Sequence, residues 1–280
     1  FADQEGHDGP LTMALATRWA QHSAHRTRLT WARRLQVVRP FARYLAQFDP
    51  GTAIIPTHLF GPTGRRLVPH IYTDTEVAAL LQAAAQLRAV AGLRLRPRTY
   101  VTLFGLLAST GLRLGEALTL HLTDVDLPNA TLTVRQTKCR KSRLVPLHPT
   151  TVSALSAYVT ARGHGVSDPA IDTFLISDRG RPLDPRMAEH TFAILRTRLG
   201  WIGRGGYPYP RIHDLRHSYV CRALLRAYQE RQSVEHVMDV ISTYVGHARI
   251  ANTYWYVTAV PELVALAGAR FAAHAERGDA

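Results

Sequence analysis

Lysine is nearly absent from this 280-residue chain: of 34 basic residues, only Lys138 and Lys141 are lysine, and they stand three apart. Cysteine is scarce too. Cys139 and Cys221 are too few for a disulfide framework and lack metal-ligand spacing, so a reduced, cytoplasmic setting is the default expectation. No run of 18 apolar residues occurs, which excludes a membrane-spanning helix. The segment before Pro10 is acidic and polar without an apolar stretch, so it does not read as a signal peptide. The chain starts at Phe1 rather than Met, as a trimmed chain would. Acidic residues are the last shortage: 21 against 34 basic ones leave a net charge of +13. None falls between positions 10 and 48, where Arg18, Arg26, Arg28, Arg33, Arg34, Arg39 and Arg43 all lie. A one-signed field over a small domain fits contact with phosphates. Charge alone leaves open a basic surface that serves only solubility.

Arginine-biased codon usage explains the lysine shortage but not why both lysines share one segment. Arginine keeps its proton at any working pH, whereas lysine can give one up. A site that must donate a proton could not accept the exchange. Chance clustering stays open.

The length suits two modest domains, and 46% hydrophobic residues can fill their cores. Residues 11–25 and 28–48 read as helices. In the second, Leu29, Trp31, Leu35, Val38, Phe41, Leu45 and Phe48 recur at roughly helical spacing, and Asp49-Pro50-Gly51 ends it. Residues 50–70 are rich in Pro and Gly. We therefore expect a helical domain over 1–56, a linker over 57–70 and a second domain over 71–280. Thr73 and Glu76 form a capping box ahead of Val77, Leu80 and Leu81. Pro97 can open the next helix and Gly111 close it. Residues 131–135 and 142–147 read as paired strands around a polar turn, with Pro146 marking an edge or a strand end. Further helices are predicted over 150–162, 185–199, 214–229, 234–245 and 261–276, and 174–177 is an apolar run of undetermined type. The expected class is mainly α with a small antiparallel β-sheet.

Chemistry-bearing groups then recur in order. Thr110-Gly111-Leu112-Arg113-Leu114-Gly115-Glu116 comes first, and His213-Asp214-Leu215-Arg216-His217 starts 100 residues after Arg113. Gly246-His247 follows, with Tyr256 nine residues later. The set suits in-line attack by a phenol on a phosphodiester. The bond energy would be kept in a 3′-phosphotyrosyl link, so a 5′-hydroxyl can reseal the strand. Arg113 and Arg216 would fork onto the non-bridging oxygens. His213 and His247 would donate hydrogen bonds or shuttle the phenolic proton. Lys138 would protonate the leaving oxygen, and Glu116 would orient a basic partner. No acidic cluster with metal spacing accompanies the set, so neither metal nor other cofactor is expected.

Blander readings compete. An Arg-Leu-Gly-Glu run alone is a salt-bridged helix start. Residues 213–217 imitate a zinc-protease helix, with Asp where Glu is usual and no third ligand at the usual spacing. His121, His164 and His190 read as surface or satisfied core residues. Tyr254-Trp255-Tyr256 could be aromatic packing. Tyr254 is also a rival nucleophile, and Tyr244 a weaker one. On a helix a two-residue shift turns the side chain about 200°, so only one of Tyr254 and Tyr256 can face the phosphate.

Order and spacing together resemble a tyrosine recombinase of the phage-integrase family, over about residues 70–280. Residues 110–116 are similar to the segment around the family's first catalytic arginine, which falls on Arg113. Residues 138–147 resemble the β-hairpin whose first lysine is the acid, here Lys138. Residues 213–217 place a catalytic pair on His213 and Arg216, and 244–247 resemble the next box, with His247. The expected nucleophile is Tyr256. Thr137 where Gly is frequent, Cys139 where small residues are common, and Val257-Thr258 where Thr-His is frequent depart from the pattern. The arginine-rich helices resemble, by position and charge, the core-binding domain of a two-domain clamp on duplex DNA. On this basis the seven N-terminal arginines, with Lys141 and Arg143, are the expected DNA contacts. The resemblance implies a site-specific recombinase of integrase, resolvase or transposon-associated type, acting in the cytoplasm with the nucleoid and not at a membrane. It also implies four protomers on two DNA sites, accessory proteins in some systems, and a C-terminal helix docked on its own domain or on a neighbour. A type IB-like topoisomerase and a catalytically idle DNA-binding member are the alternatives.

Overall fold

A computed structural model describes the chain except residues 23–26, 65, 90–94, 136–141, 164–170, 231, 247–249, 260–263, 266, 267 and 269–280. The chain divides into two compact units, Phe1–Arg66 and Leu67–Ala280.

In the first unit, helices α1 (Met13–Gln21) and α2 (Arg28–Leu45) are each capped by a threonine. Thr12 Oγ1 accepts from Leu15 N and Thr27 Oγ1 from Thr30 N, both at 3.2 Å, which satisfies N–H groups left over at a helix start. Ala16, Ala20, Leu35, Ala42 and Ile55 form the core between them. The apolar stripe expected on α2 is only partly its buried face: Leu29, Phe41 and Phe48 are exposed. Two helices of this length bury one narrow face each, and alanines at close approach fill it in place of large side chains. The stretch read as linker is not free of structure. Phe60 meets Trp31 edge-on at 5.3 Å, and Arg33 Nε donates to Thr63 O at 3.3 Å.

In the second unit, α3 (Asp74–Ala85) opens on the capping box: Thr73 Oγ1 accepts Glu76 N at 3.2 Å and Glu76 Oε2 accepts Thr73 N at 2.8 Å. Helix α4 (Leu95–Thr110) holds the centre, packing against α3, α6 (Pro149–Gly163) and α8 (Asp214–Gln229). Pro97 lies in its first turn, where the missing N–H costs nothing, and Gly111 closes it at φ +63°. Short α5 (Leu114–Leu118) follows. Strands β1 (Val125–Asp126), β2 (Thr131–Val134) and β3 (Arg143–Pro146) form an antiparallel sheet in that order. Thr131 pairs with Pro146 and Val134 with Arg143, so β3 is an edge and the proline ends it. Two-residue β1 is too short to leave an alternation pattern in the sequence. In the 174–177 run Phe174, Leu175 and Ile176 are buried and Ser177 half-buried, and Ile176 makes a bridge with Pro182.

Helices α7 (Pro185–Arg198), α9 (Val234–Val245) and α10 (Ala251–Ala259) complete the unit. The main core runs from Tyr72 and Leu80 through Leu103 and Phe104 to Leu215. A second cluster joins Val220, Cys221 and Leu224 of α8, Met238, Ile241 and Val245 of α9, and Tyr256 of α10. The helix expected over 261–276 lies almost wholly outside the described residues. Among those described, no helix is long and apolar enough to cross a membrane.

Candidate active site

The site is built on the C-terminal end of α9. The last carbonyls of a helix have no partner within it and carry the negative end of its dipole. Three consecutive ones here each receive a guanidinium. Arg143 Nε donates to Tyr244 O at 2.8 Å, Arg216 Nη2 to Val245 O at 2.7 Å, and Arg113 Nη2 to Gly246 O at 3.0 Å. Arg216 Nη1 also donates to Gly111 O at 2.7 Å, at the end of α4. Both helix ends depend on glycine. Gly111 and Gly246 stand at φ +63° and +69°; a Cβ would lie 2.6 Å from Tyr219 Cδ1 at the first and 2.7 Å from Arg143 Nη1 at the second.

Glu116 ties two of these arginines together. It accepts from Arg113 N at 3.0 Å and Arg113 Nη1 at 2.7 Å, and from Arg143 Nη1 and Nη2 at 3.2 and 2.9 Å. Burial acts to raise its pKa, but the hydrogen bonds from Arg143 and Arg113 prevail and hold the carboxyl below its ordinary value. Arg216 is buried, and burial together with the nearby charge of Arg113 lowers its pKa to about 10, so it stays cationic at neutral pH.

His213 precedes α8 and keeps an exposed surface. Protein crowding its other sides, and then the charge of Arg216, lower its pKa to about 4, so the imidazole is neutral at pH 7. The His217 ring meets the His213 ring edge-on, 4.8 Å away at 87°. Its Nδ1 lies 2.5 Å from the hydroxyl of Tyr256, a residue only 1% exposed. Tyr256 is also close enough to Arg216 for a phenolate to favour the guanidinium.

The rival tyrosines lie elsewhere. Tyr254 is exposed. Tyr244 stacks on Tyr219 at 5.5 Å and donates to Pro146 O at 3.2 Å, and burial raises its pKa. Asp214, the acid of the zinc-like run, is fully buried and bound by Arg211 Nη2 at 2.7 Å and Arg211 N at 2.8 Å. No three His, Cys, Asp or Glu side chains gather to hold a metal among the described residues.

Arg113, Glu116, His213, Arg216 and Tyr256 therefore converge. Lys138, Lys141, His247 and Arg26 lie outside the described residues. Arg143, expected among the DNA contacts, is 11% exposed and braces Glu116 and α9. Strand alternation explains this, because Arg143 shares its face with buried Val145. Besides Arg33, which donates to Thr63 O, Arg34 and Arg39 also serve their own unit. Arg34 sits 4.1 Å over the Trp19 ring and donates to Trp19 O at 2.9 Å; Arg39 donates to Ile55 O at 3.1 Å and Pro56 O at 2.8 Å. Arg18 faces Glu5 at 3.6 Å. Sequence reading did not single out His217. Its signal was the four-residue spacing from His213, which stacks both on one helix face.

A cationic cluster closed around a buried tyrosine defines a candidate for covalent strand transfer at a phosphodiester. Residues 71–262 match the model of the phage integrase family. The chain is 40% identical over 263 residues to the putative integrase/recombinase y4rB of Sinorhizobium fredii, covering 93% of this chain and 84% of that one. It is 30% identical over 256 residues to tyrosine recombinase XerC of a Mycobacterium species, covering 89% and 78%. Its fold is similar to that of the XerH site-specific recombinase bound to a palindromic difH substrate in a post-cleavage complex. There the TM-score is 0.64 at 18% identity, over 91% of this chain and 71% of that one. The chain belongs to the phage integrase family, the tyrosine recombinases that cleave and rejoin DNA at specific sites.

Proposed function

We propose that Tyr256 is the nucleophile and that Arg113, Arg216 and His213 form the described part of the cage around the scissile phosphate. What carries the reading is that buried Tyr256, on α10, lies near enough to Arg216, on α8, for their charges to interact, at the helix end that also holds Arg113. The phenol oxygen attacks phosphorus and the 5′-oxygen leaves opposite it, so the strand stays bonded to the protein through a 3′-phosphotyrosyl link. The two guanidiniums meet the charge that gathers on the non-bridging oxygens, a service worth about 10²–10³ in rate for one such donor. Neutral His213 serves as a hydrogen-bond donor to the same oxygens. His247 and Lys138 take the roles that the family resemblance gives them, a further phosphate donor and the acid at the leaving oxygen.

The partner is a duplex recombination site, engaged by the arginine-rich first unit as well as by the second. Four protomers on two sites, with accessory proteins in some settings, is the assembly in which pairwise strand exchange proceeds, in the cytoplasm with the nucleoid. A nicked suicide substrate, whose freed 5′ end diffuses away, tests the chemistry. The wild-type chain is expected to accumulate a covalent protein–DNA adduct. Tyr256→Phe is expected to form none while binding the duplex almost as well. An adduct that persists in Tyr256→Phe would move the nucleophile to Tyr254 and overturn the assignment.

A further inference from the structure

Given Tyr256 as the nucleophile proposed above, we infer that His217 is a further catalytic residue, the base that takes the phenolic proton as Tyr256 attacks. Its Nδ1 is 2.5 Å from Tyr256 Oη, a hydrogen bond made directly to the reacting atom. The contact is fixed from both sides. His217 is buried on α8, Tyr256 is buried on α10, and both helices pack against α9. His213, the N-cap residue one turn earlier, meets the imidazole edge-on at 4.8 Å, and Trp255 tilts against it at 6.3 Å. For Nδ1 to accept, the ring must carry its proton on Nε2. Neighbouring Arg216 stays cationic at neutral pH and cannot serve as the acceptor. Tyr256 is 1% exposed, so a phosphate must part the surrounding protein to reach it, and the acceptor is bonded to Oη before that happens.

The step balances. The Oη–H bond breaks and its proton passes to Nδ1 as the Oη–P bond forms. The P–O5′ bond breaks, and the 5′-oxygen leaves with a proton from the Lys138 ammonium. In resealing, the incoming 5′-hydroxyl returns its proton to the Lys138 amine, the O5′–P bond forms as the Oη–P bond breaks, and Nδ1–H gives its proton back to the departing Oη. No outside acid or base is consumed. General bases of this kind contribute about 10²–10⁴ in rate.

The nicked suicide substrate separates this role from a structural one. His217→Gln keeps a hydrogen-bonding side chain that cannot take a proton at neutral pH. It is expected to form adduct about 10²-fold more slowly, with duplex affinity and melting temperature near those of the wild-type chain. Replacing Tyr256 by 2,3-difluorotyrosine makes the phenol more acidic and less dependent on a base. In the His217→Gln background it is expected to recover about tenfold or more of the lost rate, and in Lys138→Ala to recover none. Adduct formation by His217→Gln at close to the wild-type rate would overturn the inference. So would a slow variant that the fluorinated phenol does not rescue, since a merely structural histidine gives that pattern. Either result leaves Tyr256 as nucleophile, whereas an adduct surviving in Tyr256→Phe strikes the assignment on which both rest.

Discussion

His213 and Arg216 stand three residues apart, at the N-cap and in the first turn of α8, and burial, followed by the charge of Arg216, sets the protonation of His213. With a pKa lowered to about 4 from an ordinary 6.5, His213 is uncharged throughout the physiological range. It can donate from one ring nitrogen but brings no positive charge of its own; Arg113 and Arg216 supply that. The sign of the pH dependence follows. Below pH 6.5 the unfolded chain takes up this proton and the folded chain resists it, so folded-state stability falls between about pH 6.5 and 4 and the loss is complete below that. In His213→Gln the decline of the urea midpoint across that window is expected to be shallower than in the wild-type chain. Identical declines would mean that His213 titrates normally. Glu116 has the same sign at lower pH: its depressed carboxyl stabilises the fold fully above its ordinary value, and that contribution is lost as the pH falls below it.

At the scale of elements, two glycine-closed helix ends position two arginines that lie far apart in sequence. Gly111→Ala tests the device. Alanine at φ +63° costs about 1–2 kcal/mol, and its Cβ must also displace the Tyr219 ring. We expect a loss of about 2–3 kcal/mol in urea unfolding, with slower adduct formation, because Gly111 O anchors Arg216. A variant as stable as the wild-type chain would show that the ring yields freely. These helix ends were legible in the sequence, as were the Thr73 cap and the β2–β3 pairing, since glycine, threonine and alternating strands announce themselves locally. The three-carbonyl cradle was not, because backbone carbonyls carry no residue signature. Helix α10 went unread for a related reason: residues 251–259 mix small and aromatic side chains without a clear polar face. On α2 the large side chains expected in the core are only partly there: Leu35 is buried with Trp31 and Val38 against it, while Leu29 and Phe41 are exposed and Ala42 packs instead.

At the scale of the whole molecule, a charge of +13 fits a partner of opposite sign but does not say which arginines would meet it. The structure sorts them. Arg34 and Arg39 hold the first unit together through Trp19, Ile55 and Pro56. Arg28 and Arg43 are exposed. Arg28 occupies the first residue of α2, where a cation gains nothing from the helix dipole, and we propose that it and Arg43 meet phosphates. Each arginine that neutralises one phosphate adds about one to the slope of log affinity against log salt. Arg28→Ala and Arg43→Ala are therefore each expected to lower that slope by about one and leave the melting temperature unchanged. Arg34→Ala and Arg39→Ala are expected to lower the melting temperature by a few degrees, through lost packing and hydrogen bonds rather than lost phosphate contacts. Salt titrations of duplex binding across the four variants check the division. If Arg28→Ala and Arg43→Ala bind with the wild-type slope, the first unit grips DNA through other residues and its positive field alone does not locate the contact.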